Sequence, residues 1–164
     1  MTRLSLFKKE LAKEAIATKK MLAAVPNEKF DWKPHPKSMT ISQLATHIAE
    51  LPTWPGMVLN TSELDFATSP YKPTLISNTA ELLQTFDKNL ADGIDEIAKG
   101  KEESLDESWT LRNAEQIYSV EPKEDVIRMS ISQIIHHRAQ LGVFLRLLDV
   151  PIPGAYGPSA DETF

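Results

Sequence analysis

The stretch Ser132-Gln-Ile-Ile-His-His-Arg-Ala-Gln-Leu141 decides how this chain reads. It lies inside an apolar-periodic run from Asp125 to Leu148, closed by Pro122 before it and Pro151 after it. Those boundaries suit a helix of about six turns. At 3-4 spacing, Val126, Ser130, Gln133, His137, Leu141, Phe144 and Leu148 fall on one stripe. His137 thus belongs to a mostly apolar, inward line with Gln133 one turn before it. His136, about 100° round the helix, shares a more mixed line with Met129, Ser132, Gln140 and Val143. A side chain and a histidine four positions on can converge on one ion. That spacing alone does not separate a metal ligand from a hydrogen-bonded core residue.

Working outward, three further helices precede this one. Leu4, Phe7, Leu11, Ala15, Thr18 and Leu22 form the stripe of a first helix over 2–24, stopped by Pro26. Pro34, Pro36, Phe30 and Trp32 then make an ordered loop whose aromatics plug the bundle end, with His35 as a solvated loop residue. The second helix, 40–60, has the clearest start: Thr40 as N-cap, Gln43 completing a capping box, and Met39 stapled to Leu44. Ile41, Leu44, Ile48 and Leu51 are its buried face, and His47 lies beside them. His47 reads as a hydrogen-bonded core histidine or as a ligand. Pro52 and Pro55 terminate or kink this helix. Thr53 to Ser77, with Trp54, Tyr71, Pro70 and Pro73, reads as a long crossover of the kind four-helix bundles use.

A third helix runs over 78–100, from Asn78 with Glu81 at the capping-box position to Gly100. Gly93 in its middle costs about 1 kcal/mol relative to Ala and points to close helix packing. Lys101–Ala114 is charged and turn-like, and Trp109-Thr-Leu111 and Ile117-Tyr-Ser-Val120 allow short extended pieces. The fourth helix occupies 124–148. Beyond it, Val150-Pro-Ile-Pro-Gly-Ala-Tyr-Gly-Pro is too rich in Pro and Gly for helix or central strand, so Ile152 and Tyr156 should pack it on the bundle. The fold expected is all-α: an antiparallel four-helix bundle with a long crossover between helices 2 and 3 and an ordered tail.

Composition narrows the function. With 164 residues, 41% of them hydrophobic and 25% charged, the chain reads as one globular domain. Lys+Arg 18 against Asp+Glu 23 leaves −5 with no basic run, which disfavours nucleic acid as a partner. The absence of cysteine removes disulfides, thiolate ligands and a cysteine nucleophile. A metal site must therefore use His, carboxylate, amide or water. Charges interrupt the N-terminal segment where a secretory apolar core belongs, and no apolar run approaches ~18 residues, so the expected location is cytoplasmic with no membrane partner. No serine is placed beside either helical histidine for a Ser-His-Asp arrangement. Glu50 reads as a metal ligand or general base or, more simply, as a solvated acid on the far side of its helix. Tyr118 and Tyr156 read as packing residues near the site, and Arg138 and Arg146 as partners of carboxylates.

Three blocks, Trp32-Lys-Pro-His-Pro-Lys-Ser-Met-Thr-Ile-Ser-Gln-Leu-Ala-Thr-His47, His136-His-Arg-Ala-Gln-Leu141 and Arg146-Leu-Leu-Asp-Val-Pro-Ile-Pro-Gly-Ala-Tyr-Gly-Pro-Ser-Ala-Asp-Glu162, give the chain an end-to-end resemblance to the DinB/YfiT-like superfamily. That resemblance implies a four-helix bundle, a divalent metal (nickel or zinc) held by three histidines, and a homodimer. It also implies thiol-dependent transferase activity in some members, with a small intracellular thiol as partner. The family's first histidine corresponds to His47 and its last two to positions 133 and 137. His137 matches, but position 133 is Gln, a harder and weaker donor than imidazole. The implied metal ligands are His47, Gln133 and His137, with His136 in reserve. Two functions stay open: a metal-dependent transferase or hydrolase, and a metal-poor, non-catalytic binding or dimerisation scaffold.

Overall fold

Capping chemistry starts three of the long helices in the computed structural model, which describes residues 1–162. Thr2 Oγ1 accepts from Ser5 N at the head of α1 (Arg3–Ala23), and Asn78 Oδ1 accepts from Glu81 N at the head of α4 (Thr79–Lys99). At α2 (Ile41–Glu50) the expected capping box forms in full: Gln43 N donates to Thr40 Oγ1 at 3.1 Å and Thr40 N to Gln43 Oε1 at 2.9 Å. α5 (Lys123–Arg146) starts without a side-chain cap, after Pro122, with Glu124 and Asp125 in its first turn. There they complement the positive end of the helix dipole.

The expected 40–60 helix is broken. α2 stops at Glu50, a 3-10 turn covers Leu51–Thr53, and α3 (Trp54–Asn60) resumes. Pro52 and Pro55 lack the N–H groups that would carry one α-helix through. At that break the helices close up. A Cβ on Gly93 would lie 2.0 Å from the Pro52 carbonyl oxygen, so only glycine admits α4 this near.

α1 packs on α4 and α5, and α2 packs on the same two helices. The contacts give the directions. Glu10 pairs with Arg128, and Glu14 with Arg138, so α1 and α5 run parallel. Asn89 donates to the Ala49 carbonyl and Gly56 sits against Glu96, so α2–α3 and α4 run parallel, opposite to the first two. The bundle is therefore not simply antiparallel. The long connection from Thr61 to Asn78 returns the chain the full length of the bundle before α4 begins.

The expectation of an all-α chain is corrected by a three-stranded mixed sheet in the order β1-β2-β3. β1 (Glu63–Asp65) pairs parallel with β2 (Ser108–Asn113), which pairs antiparallel with β3 (Gln116–Pro122). The extended pieces allowed at 109–111 and 117–120 form the hairpin, and the crossover supplies the third strand. Two residues, Ala114 and Glu115, connect the hairpin, with Ala114 at φ 50°. β2 sends Trp109 into the core, where it is 1% exposed and its Nε1 donates to Thr61 Oγ1. There it joins Leu4, Phe7, Val58 and Ile127, closing one end of the bundle. A second cluster, including Leu22, Leu44, Phe86 and Leu141, fills the other end. Among the described residues no helix is long and apolar enough to cross a membrane.

Candidate functional site

Two histidines meet between α2 and α5. The rings of His47 and His137 lie 4.9 Å apart between centroids, their planes inclined by 71°. Both are half-buried, His137 less enclosed than its place on an inward apolar line suggests. Gln133, one turn before His137, is half-buried on the same stripe. His136 is exposed, its ring 5.0 Å from that of His137. Among the described residues no three His, Asp or Glu side chains gather closely enough to hold an ion. His136 and Glu50 thus do not complete a set with the histidine pair. Spacing along α5 relates Gln133 to His137, and the approach of His47 from α2 is a tertiary contact that the family resemblance implies.

Gln140 was read only as a neighbour of His136 on the mixed face. Its Oε1 lies 2.8 Å from His137 Nδ1. An amide oxygen can only accept, so His137 Nδ1–H donates, and in the neutral ring the lone pair is then on Nε2. A different influence acts on His47. Burial pushes its imidazole below the ordinary value and the neighbouring His137 adds to this, against an opposing pull from Glu50. Two imidazoles side by side are donors suited to a divalent ion.

His47 also stands in the wall of a pocket of about 800 Å³ beneath the crossover. Trp54 and Met57 form part of one side, and Leu64, Phe66 and Tyr71 come from the crossover itself. Glu50, one turn after His47, fastens that cover. Its Oε2 accepts from Tyr71 Oη at 2.6 Å, and its Oε1 from Thr74 N at 2.7 Å and Thr74 Oγ1 at 2.8 Å. Burial, then the bond to Glu50, holds the Tyr71 phenol far above its ordinary range. Glu50 is therefore half-buried in the pocket wall, not a solvated acid on the far side. Its place one turn after His47 was the available signal, because such residues share a helix face; its partners from the crossover had none.

Of the remaining singled-out residues, His35 is exposed and Tyr118 half-exposed on β3. Tyr156 packs from the tail over Arg138, which is paired with Glu14, and Arg146 pairs with Asp161.

The DinB family model matches residues 1–163 of this chain. The uncharacterised protein YrdA of Bacillus subtilis is 24% identical over 154 residues, spanning 91% of this chain and 85% of that protein. In fold, the chain is similar to a DinB-like protein of Bacillus subtilis, with TM-score 0.71, 16% identity, and coverage of 92% of this chain and 96% of that one. A DinB-family structure from Exiguobacterium sibiricum aligns with TM-score 0.68 at 16% identity, covering 94% and 97% of the two chains. A mycothiol-dependent maleylpyruvate isomerase shares the fold at TM-score 0.61 and 15% identity, over 87% of this chain and 63% of that one. With the family model covering nearly every residue, this chain belongs to the DinB family.

Proposed function

We propose that this protein is a metal-dependent enzyme of the transferase or hydrolase kind that uses a small thiol, with zinc or nickel held by His47, His137 and Gln133. The observation that carries the reading is the approach of the His47 and His137 rings to 4.9 Å, with His47 in the wall of a large pocket. Two imidazoles and an amide oxygen are donors that a divalent transition metal accepts, so the residues fit the group. The ion would supply Lewis acidity, which favours the ionised form of a thiol or water at neutral pH. The chain's own part is to present the donors: Gln140 fixes the tautomer of His137, and burial favours the neutral form of His47. The pocket under the crossover gives a ligand a largely apolar wall beside His47. A thiol as co-substrate is supported by the thiol dependence in the name of one structural neighbour. A homodimer belongs to the same reading.

Zinc and nickel titrations of metal-stripped protein test it. Wild type should bind one equivalent, Gln133→His should bind more tightly, and His47→Ala should lose the ion. His136→Ala should leave binding intact. Bound metal should raise the unfolding temperature, since it binds the folded state preferentially. Absence of binding by both wild type and Gln133→His would sink the metal site and leave the non-catalytic scaffold, the reading that the glutamine at 133 favours.

A further inference from the structure

The pocket beside His47 has a chemistry of its own that the metal reading does not use. Its wall is largely apolar and carries three aromatic side chains, Trp54, Phe66 and Tyr71. Among the described residues it contains no Lys or Arg, and apart from His47 its one ionisable acid or base besides the Tyr71 phenol is Glu50. No cation pairs with Glu50: its bonds come from Tyr71 Oη, Thr74 N and Thr74 Oγ1, all neutral donors. A carboxylate offers about four acceptor positions. Two donors meet Oε1 and one meets Oε2, which leaves one position on Oε2 open beside the Tyr71 oxygen. A half-buried carboxylate with an open lone pair, in a wall that includes three aromatic rings, suits an ammonium group. The carboxylate supplies a charge-assisted hydrogen bond and the ring faces supply cation–π attraction. An anion there would meet like charge and lose its hydration without compensation.

We propose that the pocket binds an organic ammonium with an apolar body, Glu50 serving as its counter-ion. This names the organic co-substrate of the proposed metal enzyme and rests on that reading for its role in a reaction, not for its binding. The fastening of the crossover and the recognition of the ligand then share one residue. Glu50 holds Tyr71 and Thr74 over the pocket and faces the ligand with what remains of its acceptor capacity.

Calorimetric titration of metal-stripped protein with three probes of one aromatic body, naphthylmethylamine, naphthylmethanol and naphthoate, tests this at neutral pH. The amine should bind about tenfold more tightly than the alcohol, the scale of one charge-assisted hydrogen bond, and naphthoate most weakly. Glu50→Gln keeps an acceptor for Thr74 and removes the charge, so the amine should fall to the level of the alcohol. Tyr71→Phe breaks one bond of the fastening and leaves the charge, so the amine should keep its preference. Naphthoate binding as tightly as the amine, an undiminished preference in Glu50→Gln, its loss in Tyr71→Phe, or no saturable binding of any probe would each overturn the proposal. A zinc titration of the same sample separates the two readings: failure of zinc to bind removes the metal site and leaves the amine preference as it was measured.

Discussion

Gly93 and Ala114 are positions where the backbone decides what side chain fits. Helix propensity alone favours Gly93→Ala by about 1 kcal/mol. A Cβ there meets the Pro52 carbonyl oxygen at 2.0 Å, and a backbone atom does not step aside as a flexible side chain does. Gly93→Ala should therefore destabilise by ~1–3 kcal/mol through overpacking, read as a lower urea midpoint. An unchanged or raised midpoint would show that the two elements do not approach so closely. Ala114 is the opposite case, a Cβ-bearing residue at φ 50° in a two-residue hairpin connection. Glycine reaches that region without the ~1–2 kcal/mol steric cost. Ala114→Gly should raise the midpoint, less by the extra flexibility it adds to the unfolded chain. The glycine was legible in the sequence as a mark of close packing. The strained alanine was not, because nothing in its identity announces a left-handed turn.

Between elements, one buried polar network ties α1, α5 and the tail. Arg138 Nη2 meets Glu14 Oε2 at 2.8 Å, and its Nη1 donates to the Glu14 carbonyl and to Thr18 Oγ1. Tyr156 Oη accepts from Arg138 and donates to Glu14 Oε2. Arg138, Glu14 and Thr18 are all buried, so removing one partner strands a charge away from water. Glu14→Ala should cost ~3–5 kcal/mol, whereas Glu14→Leu with Arg138→Met, which removes both charges and keeps apolar volume, should cost far less. Denaturant unfolding of Glu14→Leu, Arg138→Met and the double variant checks this, and additive losses would contradict the pairing. A carboxylate for Arg138 could be expected from residue type. That it comes from a residue 124 positions earlier follows only because α1 and α5 lie side by side and parallel.

At the scale of the molecule, ion pairs and backbone donors fasten the far connections, and acid should release them together. Asp106 is held below the ordinary carboxylate range by Arg3, and Asp161 by Arg146 and then the Ile152 amide. Backbone amides of Ala114 and Ala67 lower Asp65. A carboxylate lowered in the folded state contributes stability that is present above its unfolded pKa and lost as pH falls through the folded one. Stability should therefore hold down to about pH 4 and decline below it. The protection of the Ile152 amide against hydrogen exchange, taken relative to the unstructured rate at each pH, should fall over the same interval, and Asp161→Asn should weaken that dependence. A flat profile from pH 5 to pH 2 would contradict it. The long helices and the capping box at Thr40 were legible in the sequence, because 3.6-residue periodicity and caps are local properties, whereas the pairing of His47 with His137 was implied only by the family resemblance. The sheet, the parallel helix pairs, the closing of Glu50 onto Tyr71 and Thr74, and the pocket they cover were decided by tertiary structure. β1 is three residues long and carries little pattern, and the path of a long crossover depends on which helix faces are left to bury. Local chemistry therefore put each histidine on the inner side of its own helix, and only the fold brought the two together and assembled the pocket around the first of them.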